Sequence, residues 1–206
     1  MVFRATLSRC ASAALVAVAA ACGSSSSPAP AAPLAFVGQV DGSDARIGVI
    51  ATDHNARIFF CGGAATYKGM THWLLSVPID AHGAVSQPVD TAGWAVKGQV
   101  AQAGASGMVT VSGGSTFAFH ADPVAKGTIA GLYEGAGPCG KVGLIVTQGS
   151  AGETPTGQGA CVPASGHADP EQVNPIRPIS LTADGMIPVV VDGAQVFVHP
   201  EPAPAD

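Results

Sequence analysis

The 206-residue chain is short of charge and of aromatic rings: charged residues make up 11% of it and aromatic residues 5%. It has no cluster of basic residues, and Lys68, Lys97, Lys126 and Lys141 each stand between neutral neighbours. A protein that grips nucleic acid through phosphates needs such clusters, so nucleic acid is not an expected partner. With so few aromatics the core falls to aliphatic side chains, and no platform for sugar rings is visible. Most carboxylates, among them Asp41, Asp44, Asp53, Asp80, Asp184 and Asp192, fall in turn-like sequence, which argues against the paired carboxylates of a glycosidase.

Several chemical signatures are also missing. The nearest approaches to a Gly-x-Ser-x-Gly nucleophile elbow, Gly104-Ala105-Ser106-Gly107 and Gly113-Gly114-Ser115-Thr116, have the wrong spacing and no helix to follow. Histidines 54, 72, 82, 120, 167 and 199 contain no His-x-x-x-His pair, the readable form of a zinc site. No phosphate loop or dinucleotide fingerprint occurs, because the glycines come in isolated pairs without βαβ alternation. The expectation is a domain with no catalytic role, no metal and no cofactor.

What the N-terminus does have is a basic start at Arg4 and Arg9, a small and apolar run from Ala11 to Ala21, and then Cys22. These are the parts of a signal peptide, and the run is too short for the ~20 apolar residues of a membrane helix. The ending Ala19-Ala20-Ala21-Cys22 resembles a lipobox, where a bacterial signal peptidase cuts before a cysteine that carries lipid. The resemblance implies a signal peptide over 1–21 and a lipid anchor on Cys22 that ties the protein to a membrane of the cell envelope. Gly23, in place of aspartate, resembles lipoproteins sorted to an outer membrane in organisms that have one. Cleavage would remove Arg4 and Arg9, leaving seven Lys and Arg against fourteen Asp and Glu, a net charge of −7. Residues 22–33, rich in Ser, Pro and Ala, read as an extended tether, and 200–206 as a frayed tail.

Between these ends, residues 34–199 read as one all-β domain with a real hydrophobic core. Its apolar pattern has period two: Ile47, Val49 and Ala51; Trp73, Leu75 and Val77; Trp94, Val96, Gly98 and Val100; Val142, Leu144 and Val146. Such alternation turns one set of side chains to a core and the other, here Arg46, Gly48, Ile50, Lys141, Gly143 and Ile145, to solvent. Turn signals at Asp53-His54-Asn55, Ala81-His82-Gly83, Gly113-Gly114, Asp184-Gly185 and Asp192-Gly193 mark antiparallel hairpins. The expected strands are 35–40, 46–52, 56–61, 71–77, 93–101, 107–112, 116–121, 130–134, 141–148, 156–162, 178–182 and a hairpin over 187–198. An antiparallel meander of this length must close into a small β-barrel or split into a sandwich to hide its edges. His-Ala-Asp-Pro occurs at 120–123 and 167–170, a coincidence in a chain rich in Ala and Pro.

Export places cysteines where disulfides persist. With Cys10 removed and Cys22 lipidated, Cys61, Cys139 and Cys161 remain. The hairpin of 141–148 and 156–162 turns near Ser150, and Cys139 and Cys161 each lie eleven residues from it, which predicts a Cys139–Cys161 bridge contributing about 3 kcal/mol. Cys61 is then left as a free thiol, read either as a small buried hydrophobe, as a reactive group, or as a partner for another cysteine should the register differ. Tyr67, His72, Trp73 and Trp94, with Tyr133 further on, form a candidate pocket at a barrel mouth; the two tryptophans are otherwise core-fillers.

The order Phe36-Val37-Gly38-Gln39-Val40, Ile47-Gly48-Val49, Phe60-Cys61-Gly62-Gly63, Trp73 and Ala130-Gly131-Leu132-Tyr133 resembles uncharacterised exported or lipid-anchored proteins of high-GC bacteria. The resemblance covers about 36–148 and implies an envelope β-domain, with no activity attached. Together these readings point to a lipid-anchored envelope protein whose domain binds a small ligand or an envelope protein. The alternative is an envelope hydrolase or thiol-based redox protein using Cys61 or a scattered His/Asp site.

Overall fold

A computed structural model describes residues 32–164 and 169–201. The signal peptide, Cys22, nearly all of the tether and the second His-Ala-Asp-Pro's His167 lie outside the described residues. Those that are described form one all-β, antiparallel unit without a helix. The strands are β1 (Leu34–Val40), β2 (Arg46–Ala51), β3 (Asn55–Cys61), β4 (His72–Pro78), β5 (Ala84–Gln87), β6 (Ala95–Ala101), β7 (Gly104–Thr110) and β8 (Thr116–Pro123). They continue with β9 (Gly131–Gly137), β10 (Gly140–Thr147), β11 (Thr156–Pro163), β12 (Glu171–Pro175), β13 (Ile187–Val191) and β14 (Ala194–Pro200).

The meander closes fully once and nearly closes a second time. The first eight strands form a sheet in the order β4-β3-β2-β1-β8-β7-β6-β5, and the last six form a closed barrel in the order β10-β11-β12-β13-β14-β9. The eight-stranded sheet curls until β4 and β5 meet, but only through an isolated bridge between Ile79 and Val85. Elsewhere along this seam a side-chain contact takes the place of the ladder: His72 Nε2 lies 2.8 Å from Asp90 Oδ2. Phe36, Ile47, Val49, Ile58, Phe60, Leu74, Trp94, Val96 and Phe119 fill the first barrel. Val142, Leu144, Val146, Cys161, Ile187, Val189, Val191 and Val198 fill the second.

The turn chemistry acts as the sequence suggests. Asp192 (φ 47°) and Gly193 (φ 74°) both take left-handed backbone, the pair a two-residue hairpin needs, and Val191 pairs with Ala194 across them. Three expectations are corrected. The strand expected over 178–182 is not formed; the ladder there uses β12 instead, and Ile179 packs into the second barrel from irregular chain. The expected tail starts too early, because Pro200 pairs with Tyr133 and Glu201 N donates to Leu132 O at 2.9 Å. The alternation of Trp73, Leu75 and Val77 breaks at a β-bulge. Between the pairs Ala56↔Val77 and Ile58↔Leu74, β4 advances one residue more than β3. The extra residue inverts the phase, so Leu74 and Val77 both point inward, Trp73 points out of the barrel, and Leu75 is 52% exposed.

The Cys139–Cys161 bridge is present, with Cα atoms 6.1 Å apart. It arises differently from the expected cross-strand pair, since Cys161 stands opposite Val142 in the ladder. Cys139 occupies the tight β9–β10 turn, which brings its side chain over β11. The bridge closes a loop of sequence separation 22. Cys139→Ser is therefore expected to lower stability by about 3 kcal/mol in urea unfolding, and a loss below about 1 kcal/mol would contradict the chain-entropy account.

Candidate functional site

The most informative region is the junction of the barrels. Side chains expected to face water on β2 and β10 face each other instead: Ile50 and Ile145 join Phe59, Cys61, Trp73, Leu132 and Ala160 in a third apolar cluster. The strands that meet here are apolar on both phases, the signature of a strand covered on both faces. Close approach depends on Gly143, where an added Cβ would come within 2.5–2.8 Å of the Phe59 ring. Phe59 is fully buried and stacks on Trp73 with ring centroids 4.4 Å apart.

One edge of this junction is ionic. Arg57 on β3 reaches across to the second barrel, with Nη2 2.9 Å from Glu134 Oε2 and in contact with Glu201 Oε1. Lys141 on β10 pairs with the same Glu134 oxygen, and its ammonium lies 4.3 Å from the centre of the Trp73 ring. The Glu201 side chain is fully buried. Burial, followed by the neighbouring Glu134 carboxylate, pushes its carboxyl up to about 8. For Glu134 burial works upward too, but Glu201, Lys141 and Arg57 together hold it below the ordinary range. Among the described residues, the buried side-chain atoms without a hydrogen bond of good geometry are Arg57 Nε, Trp73 Nε1 and the carboxyl oxygens of Glu201, although Oε1 lies against Arg57 Nη2 and the carboxyl neighbours Glu134. All belong to this cluster.

On another side of the junction lies an open groove of about 510 Å³. Its polar lining includes Gln39, Asp44, Arg46, His120, Asp122 and Gln148, contributed by β1, the β1–β2 turn, β2, β8 and the β10–β11 turn. Arg46 is fixed from the second barrel, donating through Nη1 to Thr147 Oγ1 at 3.0 Å and to Thr156 O at 3.2 Å. Asp44 accepts from Thr66 Oγ1 and, at 2.8 Å, from Ala65 N, and these bonds hold it below the usual carboxylate range.

The sequence-derived pocket divides. His72 and Trp94 come together, their rings stacked 5.0 Å apart inside the first barrel, while Trp73 lies on the opposite side of the barrel wall because of the bulge. Tyr67 stays in the β3–β4 loop, next to Lys68, and Tyr133 belongs to the second barrel, donating its hydroxyl to Ile129 O at 2.9 Å. Asp90 organises the seam: Oδ1 accepts from Ala92 N and Trp94 N, while Oδ2 meets His72. Burial tends to raise Asp90, but the Trp94 and His72 contacts outweigh it and hold the carboxyl low. Among the described residues no hydroxyl or thiol hydrogen-bonds to this His–Asp pair, and no three His, Cys, Asp or Glu side chains converge as a metal site.

Cys61 is the free cysteine among the described residues and is buried in the junction. Burial pushes its thiol up to about 12. At pH 8 roughly one thiol in ten thousand would be ionised, so alkylation of the native protein is expected to leave Cys61 untouched and to modify it only after denaturation. Rapid modification of the folded protein would show that this burial is not maintained in solution.

The fold and junction define a β-protein of one nearly closed eight-stranded barrel and one closed six-stranded barrel, with a groove along their boundary. Comparison with protein-family models, with curated proteins and with solved structures found no match for the chain.

Proposed function

We propose that the protein is a lipid-anchored component of a bacterial cell envelope, held by Cys22, whose two-barrel unit binds a small ligand or an envelope protein without covalent chemistry. The observation that carries the binding role is the inter-barrel groove. Its volume of about 510 Å³ falls in the range of ligand sites, and its polar groups are pre-set by contacts from both barrels. The anchor rests on the lipobox-like Ala19-Ala20-Ala21-Cys22 and on the Ser, Pro and Ala tether that follows. The buried, strongly raised thiol of Cys61 weighs against a redox role.

Two measurements test the parts separately. Intact mass of protein extracted from membranes should show a lipid-sized increment that Cys22→Ser abolishes, together with release of that variant from the membrane. For binding, a fragment screen followed by amide chemical shifts should place perturbations at Gln39, Asp44, Arg46, Asp122 and Gln148. Asp122→Ala should weaken the best fragment several-fold without altering the folded spectrum. Hits confined to other surfaces would overturn the groove as the binding site.

A further inference from the structure

Within the larger groove, Arg46 carries a charge that the fold leaves uncompensated. Its side chain leaves β2 on the same phase as Ile50, towards the second barrel, and Nη1 is spent on Thr147 Oγ1 and Thr156 O. Both acceptors are neutral. Among the described residues Arg46 takes part in no ion pair. Its Nε and Nη2 make no hydrogen bond there, yet neither is among the buried unpaired atoms, so both are accessible to solvent. Burial of the rest of the side chain draws the guanidinium below its ordinary proton affinity. Nε and Nη2 form one planar fork, and the group whose geometry matches such a fork is a carboxylate.

The ladder places two further polar groups on the same outer face. Arg46 pairs with Gln39 on β1 and Gln39 with His120 on β8, while one step along that face Val37 pairs with Asp122. Gln39 and Asp122 are exposed, line the groove, and Asp122 belongs to no ion pair among the described residues. The other carboxylates nearby are engaged: Asp44 accepts from Ala65 N and Thr66 Oγ1, and Asp41 meets His120 Nδ1. A simple anion would take Arg46 but face Asp122 across the groove. A ligand with a positive end as well satisfies both. Two strands across and two residues along, the Cα atoms of Arg46 and Asp122 are about 12 Å apart. A single amino acid holds its charges too close together to reach both, whereas three extended residues span about 10 Å.

We propose that the groove binds a peptide of about three residues by its two ends, the carboxylate on the free fork of Arg46 and the ammonium on Asp122. This rests on the groove being the binding site. The Gln39 amide, on the strand between the two charges, can both donate to and accept from a peptide unit lying over it. Val37 and Ala130 add a small apolar lining without a deep side-chain pocket. The site therefore selects for two free ends and for length rather than for sequence.

Amide chemical-shift titration of the full chain with triglycine, triglycine amide, acetyl-triglycine and glycine tests this. Triglycine is expected to shift the amides of Gln39, Arg46 and Asp122 with a Kd below about 1 mM. Amidation should weaken it roughly tenfold, through loss of the charged fork, and acetylation about threefold, the effect of an exposed ion pair. Glycine should bind roughly tenfold more weakly than triglycine. Arg46→Gln should erase the difference between triglycine and its amide but keep that between triglycine and acetyl-triglycine, and Asp122→Asn should do the reverse. Should Arg46→Gln fail to fold, Asp122→Asn, at an exposed position, carries the test alone. Equal binding of the four ligands, or a preference that survives in the matching variant, would overturn the proposal. Fragments that shift the groove amides when triglycine at about 10 mM does not would also overturn it and leave the groove as a binding site. No shift by either would overturn the groove as well.

Discussion

Phe59→Ala is expected to lower the free energy of unfolding by about 3–5 kcal/mol, the range for removing a fully buried phenylalanine. The ring has no exposed surface, stacks on Trp73 and fills the space that Gly143 leaves open on the second barrel. It belongs to neither barrel interior, since its cluster is the one between them. The loss should therefore fall on the coupling of the barrels and leave each interior intact. Wild-type protein is expected to melt in one transition and the variant in two. Trp73 and Trp94 report on the two places separately, one in the junction and one inside the first barrel. In Trp94→Phe the remaining fluorescence should follow the earlier transition, and in Trp73→Phe the later one. A cost below about 1 kcal/mol, or coincident transitions from both probes, would mean that the barrels are held together by something other than this packing.

Arg57→Leu is the second large effect, also about 3–5 kcal/mol. The guanidinium side chain is 16% exposed and is shared by Glu134 and Glu201, so above about pH 8, where Glu201 is ionised, its removal leaves two adjacent carboxylates with Lys141 alone. The cost comes from the buried charges left behind. Adding Glu201→Gln to Arg57→Leu should accordingly recover a good part of the loss, and a double variant no better than the single one would refute this account. The same cluster sets a pH dependence. The Glu201 carboxyl is raised to about 8 in the folded protein from an ordinary 4.5. Between these values the folded state holds a proton that the unfolded state has released, so this contribution is complete below about pH 4.5 and is lost as pH rises towards 8. Glu201→Gln should flatten a plot of stability against pH in that window. Glu134, held low, acts in the opposite sense and only in acid, losing its contribution as pH falls.

The strands with strong alternation and good turns were legible: β1 to β3, β6 and β10, and the β13–β14 hairpin, follow directly from Ile, Val and the Asp-Gly turn, and β8 from Phe117 and Phe119 after the Gly113-Gly114 turn. β5 and β12 were not, because Val85 and Val173 are the single buried apolar residues in each, too little for a period to show. The 178–182 segment misled for the converse reason, since Ile179 is buried without entering a ladder. A bulge of one residue on β4 leaves no mark in composition, yet it moved Trp73 to the other side of the wall and dissolved the expected aromatic pocket. One signal was available and carried more than the period-two reading took from it. Ile50 and Ile145 are apolar on the phase assigned to water, which is what a second layer requires. The ionic cluster had no local signature. Arg57, Glu134, Lys141 and Glu201 come from β3, β9, β10 and the end of β14, and only the closure of both barrels brings them into contact.

The seam of the first barrel gives the molecule a direction of yielding. A cylinder stitched along every line but one resists squeezing equally from all sides, yet peels from the unstitched line outward. Here that line runs between β4 and β5, fastened by the Ile79–Val85 bridge and the His72–Asp90 contact. Amide protons of β4 on that margin should be the first of the barrel wall to exchange with solvent, well ahead of those on β1 and β8 at the opposite meridian. Tension applied between the chain ends would likewise find the second barrel, closed all round, the harder of the two to tear.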